Sequence, residues 1–298
     1  MTVAAGTVLL VHAHPDDELL STGVRLCHDV AAGRDVHVLT CTLGDEGEVI
    51  PPGLAHLVAG REGALASHRL GELRAALAAA GATSHVLAEA DGRARWRDSG
   101  MAGSAAADHP DAWVGSDDDE AVDAVREVLA RVAPDVVVTY DAGGGYQHPD
   151  HVRTHAVTRA AVIAENAELA ADGRAPIRLE IALTPASWAR EDRAWVREHA
   201  EQLEALGWRI PAEDEGYPVS VVDDALVVLD DAVGDVDAEV EDKFLAIARA
   251  KAAPTISRYD RGVRWKEEGV AVQALLEEDV SEGLAAFNAR RKPQFKEH

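Results

Sequence analysis

The chain has 298 residues, with 53 Asp and Glu against 29 Lys and Arg, a formal net charge of −24; such a surface repels phosphate backbones and anionic lipid, which argues against nucleic acid and membrane partners. Apolar residues at 47% and charged residues at 28% describe a soluble globular protein, long enough for one large domain or two small ones. No apolar run approaches the ~20 residues of a membrane span, and Met1–Gly6 lacks the basic stretch of a signal peptide, so a cytoplasmic location is expected.

A first strand is expected over about Thr7–His12, followed by a helix from about Asp17 to Ala32. Leu20, Val24, Cys27 and Ala31 recur there at helical spacing, and Gly33 is placed to end it. A second strand falls at about Asp35–Thr42, a Gly/Pro-punctuated loop at Gly44–Gly53, a long helix at roughly Arg61–Ala80 and a short strand at His85–Leu87. The connection Ala88–Gly115 is long enough to be functional or disordered. Ser116 with Asp119 has a capping-box spacing and opens a helix whose buried stripe is Ala121, Val122, Val125, Val128, Leu129 and Val132. Strand Asp135–Tyr140, loop Asp141–Asp150 and a helix from His151 to about Glu165 follow. Alternation of strand and helix predicts an α/β fold with a Rossmann-like, doubly wound, mainly parallel sheet over residues 1–170. Beyond it the pattern loosens into a strand at Ile177–Leu183, a helix at Ser187–Leu206, strand-like runs in Val219–Leu229 and a helix at Ala238–Lys251. Residues 171–298 read as a smaller C-terminal α/β subdomain that completes or caps the first. The two cysteines, Cys27 and Cys41, form no disulfide framework and suit a reducing compartment.

His12-Ala13-His14-Pro15-Asp16-Asp17-Glu18 joins the first strand to the first helix. Open α/β sheets bind ligands at such strand ends. A second cluster, His148-Pro149-Asp150-His151, follows the strand ending at Tyr140. Pro15 pushes His14 into an extended conformation, and Asp16 and Asp17 project about 100° apart on the first turn, so one can ligate a metal while the other stands beside it. His14, one Asp and one of His148 and His151 give three N/O ligands with an open position, the pattern of a catalytic zinc site. The bland alternative is an N-cap carboxylate pair beside a core histidine. His12 lies a step further into the sheet and reads as buried support, and His155 as support or surface. A third copy, His109-Pro110-Asp111, has no strand before it and reads as a solvated turn. No G-x-G-x-x-G, P-loop lysine or G-x-S-x-G elbow is present.

His14-Pro15-Asp16-Asp17-Glu18 and Gly145-Tyr146-Gln147-His148-Pro149-Asp150-His151 resemble the zinc-dependent N-acetylglucosaminyl deacetylases of the LmbE/PIG-L family. Thr40 through Val49, Arg69 through Leu73, Arg95 through Met101 and Val138 through Asp141 match as well, so the resemblance covers about the first 165 residues. It implies zinc ligands at His14, Asp17 and His151, a general base at Asp16, and help at the oxyanion and leaving group from Tyr146 and a protonated His148. It implies that Asp150 orients a histidine, and that Arg69 and Asp98 hold sugar or inositol hydroxyls. One Zn²⁺ per chain is implied, with Fe²⁺ an accepted substitute. The implied substrate is a small amino-sugar inositol, in the branch of the family that serves mycothiol biosynthesis. Oligomeric state is not legible.

The implied chemistry is hydrolysis of an unactivated acetamide, with Asp16 taking the proton of the attacking water. An amidase of mycothiol S-conjugates, or a deacetylase of another N-acetyl amino sugar, would use the same centre behind a different pocket. A non-catalytic sugar-binding module would need no general base, and a metal phosphoesterase would want more carboxylates. The sequence departs from the family pattern in the Ala- and Asp-rich stretch Ala102–Gly115 and at Gln147.

Overall fold

Val8 and Leu10 alternate along one strand with Leu9 and Val11, and all are buried, so this segment must be covered on both faces. In the computed structural model, which describes residues 6–47, 49, 52–57, 64–205 and 209–227, that segment is β1 (Thr7–His12), in the middle of a five-stranded sheet. The other strands are β2 (Asp35–Thr40), β3 (Thr83–Val86), β4 (Val136–Tyr140) and β5 (Arg178–Ala182), in the order β3-β2-β1-β4-β5. All pairings are parallel, and Val8 stands opposite both Val36 and Val136. The crossovers are α1 (Asp17–Leu20), α2 (Gly23–Ala31), α3 (Ala64–Ala80), α4 (Asp118–Val132), the short α5 (Gly144–Gln147) and α6 (Pro149–Ala171).

Strand alternation sorts the helices into two layers. Val8, Leu10, Val36 and Val38 pack with Leu19, Leu26, Leu73 and Leu77, from α1, α2 and α3. On the other face Leu9, Val11, Leu39 and Val137 meet Val125, Leu129, Val157 and Ala161, from α4 and α6. The sheet is therefore doubly wound, as expected. The chain leaves β1 toward β2 and returns to β4 on the opposite side. The order reverses between β1 and β4, which opens a crevice at their carboxyl ends.

Several expected elements differ in detail. The helix expected over Asp17–Ala32 breaks after Leu20. The Thr22 hydroxyl donates to the Glu18 carbonyl and meets His12 Nε2 at 2.9 Å, so the chain turns there to satisfy a buried strand residue. The cap of α4 is Asp117, which accepts from the Glu120 N–H, while the Ser116 hydroxyl donates to Trp113 O instead. Helix α6 starts at Pro149, two residues early, because His148 caps it and proline suits the first turn. The long connection is ordered: Trp96 and Trp113 are buried with ring centroids 5.0 Å apart, and Trp113 Nε1 donates to Thr154 Oγ1 of α6.

Beyond residue 170, β5 completes the main sheet. A two-stranded pair, β6 (Thr184–Pro185) and β7 (Val221–Val222), flanks α7 (Ala186–Glu198) and α8 (Ala200–Ala205). The helix expected at Ser187–Leu206 is thus interrupted at His199. Leu206, the expected helix at Ala238–Lys251 and the start of the helix expected at Arg61 lie outside the described residues. No described helix is long and apolar enough to cross a membrane.

Candidate metal centre and active site

The two histidine-carboxylate clusters meet at the crevice between β1 and β4. His14 and Asp17 follow β1, and His151 lies in the first turn of α6. Three of their atoms converge: His14 Nδ1 and Asp17 Oδ2 are 3.2 Å apart, His151 Nε2 and Asp17 Oδ2 3.3 Å, and the two ring nitrogens 3.3 Å. Bonds of about 2.0–2.1 Å to a tetrahedral metal set its ligand atoms about 3.3 Å apart. The residues present therefore fit a divalent cation.

Proton placement strengthens the fit. His14 uses its Nε2–H on Asp150 Oδ2 at 3.1 Å, and His151 uses its Nδ1–H on the Gly144 carbonyl at 3.2 Å. Each neutral ring then turns a lone pair toward the carboxylate oxygen. Three acceptors facing one another repel unless a cation or a proton joins them. Burial opposes charge on His14, yet Asp98, Asp150 and Asp17 outweigh it and hold the imidazole well above its ordinary value. Burial likewise works against the Asp17 anion, but His151 and His14 bring it well below the usual carboxylate range. Asp150 Oδ2 also accepts the Ser99 N–H at 2.9 Å, which fixes the carboxylate that orients His14. Asp98 approaches the same His14 Nε2 at 3.5 Å and accepts the Gly100 N–H at 2.8 Å. One atom each from His14, His148 and His151, or from His14, Asp98 and Asp150, also lie within 4.8 Å of one another.

Asp16 stands beside this cluster in a strained conformation, with φ at 105°, where side chains other than glycine are rare. Its N–H donates to Glu18 Oε2 at 2.9 Å, and its Oδ2 accepts from Arg69 Nη2 at 2.8 Å. Arg69 is buried and also donates to the carbonyls of Pro15 and Gly44. The structure therefore sets Arg69 against Asp16. Gly44 makes room for it: with φ at +63°, a Cβ there would lie 1.9 Å from Arg69 Nη1.

The opposite wall is the turn after β4. Asp141 accepts the N–H groups of Gly143 and Gly145, and Gly144 and Gly145 take positive φ. A Cβ on Gly144 would meet Val152 N at 2.7 Å and His151 Cβ at 2.8 Å. This turn sets the Tyr146 ring edge-on to His151, with centroids 5.1 Å apart, and the His148 ring 4.7 Å from that of His14. His148 Nδ1 accepts the Asp150 N–H, which leaves the proton of the neutral ring on Nε2. Burial and the neighbouring imidazoles of His14 and His151 push His148 down to about 4. This works against a protonated His148.

Tyr140, the last residue of β4, escaped the sequence reading. Its hydroxyl accepts the Ala13 N–H and donates to Asp17 Oδ2, both at 2.8 Å. Burial, then the Asp17 charge, raises this phenol well above its ordinary value, so it stays protonated. The available signal was a polar-tipped side chain closing an otherwise apolar strand. His12 is buried against Thr22, and His155 Nδ1 meets the Tyr140 carbonyl at 2.7 Å, so neither faces the cluster. The third His-Pro-Asp copy is a turn whose Asp111 pairs with Arg95. Cys41 is fully buried, and burial pushes its thiol up to about 12, which makes it inert packing.

The family described as PIG-L: GlcNAc-PI de-N-acetylase matches residues 9–162. The 1D-myo-inositol 2-acetamido-2-deoxy-alpha-D-glucopyranoside deacetylase of Actinosynnema mirum is 42% identical over 248 residues, which is 83% of this chain and 79% of that protein. The protein of the same name from Rhodococcus opacus is 41% identical over 261 residues, 85% of this chain and 84% of its own. Among solved structures, the zinc-inhibited form of teicoplanin deacetylase Orf2 matches 54% of this chain and 64% of its own, with 24% identity and a TM-score of 0.39.

Proposed function

The chain belongs to the PIG-L, GlcNAc-PI de-N-acetylase, family, and on that premise we propose that it hydrolyses the acetamide of 1D-myo-inositol 2-acetamido-2-deoxy-alpha-D-glucopyranoside to acetate and the free amine. The observation that carries this reading is the convergence of His14 Nδ1, Asp17 Oδ2 and His151 Nε2 beside the strained Asp16. His14, Asp17 and His151 would hold one divalent cation. Two imidazoles and a carboxylate suit Zn²⁺, and Fe²⁺ is accepted by the same donors. When bound, the cation supplies a Lewis acid for the acetamide carbonyl and eases ionisation of water.

The chain's own residues do the rest. Asp16, aimed by Arg69, takes a proton as water attacks the carbonyl carbon. Negative charge gathers on the former carbonyl oxygen, and the Nε2–H of neutral His148 and the Tyr146 hydroxyl donate to it. The C–N bond then breaks, and Asp16 passes its proton to the leaving amine. Arg69 and Asp98 serve the reaction through their partners: Arg69 holds the base, and Asp98 supports His14. The described residues after β5 act as a completing cap, an assignment supported by the Ser220 N–H bonded to the Gly145 carbonyl beside Tyr146. The buried free cysteines suit the cytoplasm.

An acetate-release assay on this glucosaminide tests the reading, run with chelator and then with Zn²⁺ or Fe²⁺ added back. Release that chelator abolishes and metal restores is expected. Cleavage confined to a thiol conjugate or another N-acetyl sugar, or release indifferent to chelator, would overturn it.

A further inference from the structure

We propose that Tyr140 is a positioning residue for the metal centre, its hydroxyl aiming Asp17 and its ring setting His151. The inference rests on the reading of His14, Asp17 and His151 as the ligand set. Phenylalanine would fill the same apolar place at the end of β4, so packing alone leaves the hydroxyl unexplained. Its contacts explain it. The oxygen lies between the Ala13 N–H and Asp17 Oδ2, at 2.8 Å from each, with both side chains buried. A hydrogen bond withdrawn from water is stronger and better defined than an exposed one. It lands on the same Oδ2 that faces His14 Nδ1 and His151 Nε2, and that oxygen also accepts the His14 N–H at 2.9 Å. Two donors from fixed points leave the carboxylate one orientation.

The ring does a second task. It stacks on His151 with centroids 4.2 Å apart and planes 13° from parallel. One residue of β4 thus holds a ligand that follows β1 and a ligand of α6. The two strand ends come from distant parts of the sequence, and Tyr140 ties them at the point where the ligand atoms meet. Partners of metal ligands at this remove typically govern affinity by about 10- to 100-fold.

Zinc retention distinguishes this role from packing. Wild type, Tyr140→Phe, Asp17→Asn and the double variant are purified with zinc throughout and chased with a chromophoric chelator, which gives zinc affinity and release rate. Phenylalanine keeps the ring on His151 and removes only the hydroxyl. Trp113→Phe, which removes the buried bond to Thr154, serves as the control for general loosening. We expect about a 10- to 100-fold loss of affinity in Tyr140→Phe, little change in Trp113→Phe, and a much smaller loss when Tyr140→Phe is added to Asp17→Asn. Affinity within about twofold of wild type, or an equal loss in the Asp17→Asn background, overturns the role of the hydroxyl. A wild-type protein that yields no zinc, or an Asp17→Asn variant that holds it undiminished, overturns the ligand set itself.

Discussion

Arg69 can hold an amide oxygen at position 16 much as it holds Asp16 Oδ2, so Asp16→Asn removes the proposed base and spares the shape. Turnover is expected to fall by about 10²- to 10⁴-fold, the usual worth of a positioned base, with zinc content unchanged. Acetate release and metal analysis on one preparation check this, and a fully active variant would take Asp16 out of the mechanism. Gly44→Ala attacks the same residue from behind. A Cβ there would lie 1.9 Å from Arg69 Nη1, so the guanidinium must move and Asp16 loses its partner. Lower kcat with retained zinc is expected; a wild-type kcat would show that Asp16 needs no such clamp. The dependence of Asp16 on Arg69 was hidden in the sequence, where they stand 53 positions apart. Legible there was the composition of each cluster, because ligand-type residues at a strand end are a local pattern.

Helix α6 offers a comparison between its two ends. Gly144 abuts its first turn, where a Cβ would meet Val152 N and His151 Cβ, whereas Gly173 past its last turn takes φ of +69° with open space around it. Gly173→Ala bears only the strain of a left-handed alanine, about 1–2 kcal/mol. Gly144→Ala bears similar strain and also displaces the turn that carries His148 and His151. Both should lower the melting temperature, but only Gly144→Ala should weaken zinc binding in a chelator titration. Equal zinc affinity in the two variants would show that the turn adapts without moving its histidines. Such end effects mark what the sequence conveyed at this scale. The short, nearly continuous buried apolar runs of β1, β2 and β4 depend on neighbouring residues, and those strands fall within a residue or two of their expected bounds. The break between α1 and α2 depends on His12 reaching Thr22, and the early start of α6 on an imidazole acting as cap. Neither partner is a usual signal. The long connection was open between function and disorder until Trp96 and Trp113 were seen to anchor it in the core.

Across the whole molecule, the site asks a buried crevice to hold more negative charge than it can balance alone. The sheet order brings β1 beside β4, and Asp17, Asp98 and Asp150 gather round His14 in a chain that is already strongly acidic. Stripped of metal, the protein answers with a proton: His14 is held well above its ordinary value. A group whose folded pKa is raised contributes stability that is fully present below its unfolded value, about 6.5 for His. That contribution is lost as pH climbs toward the folded value, because the unfolded chain then binds fewer protons than the folded one. Zinc held by the proposed ligands would displace this proton, so the loaded protein would not suffer the same loss, and binding would release protons. The gap in melting temperature between zinc-loaded and chelator-stripped protein should therefore widen as pH rises above about 6.5. Paired thermal melts across neutral pH at fixed free zinc measure it. A gap that stays constant would mean that cation and proton do not share the space between His14, Asp17 and His151, and that the convergence of β1 and β4 serves some other end.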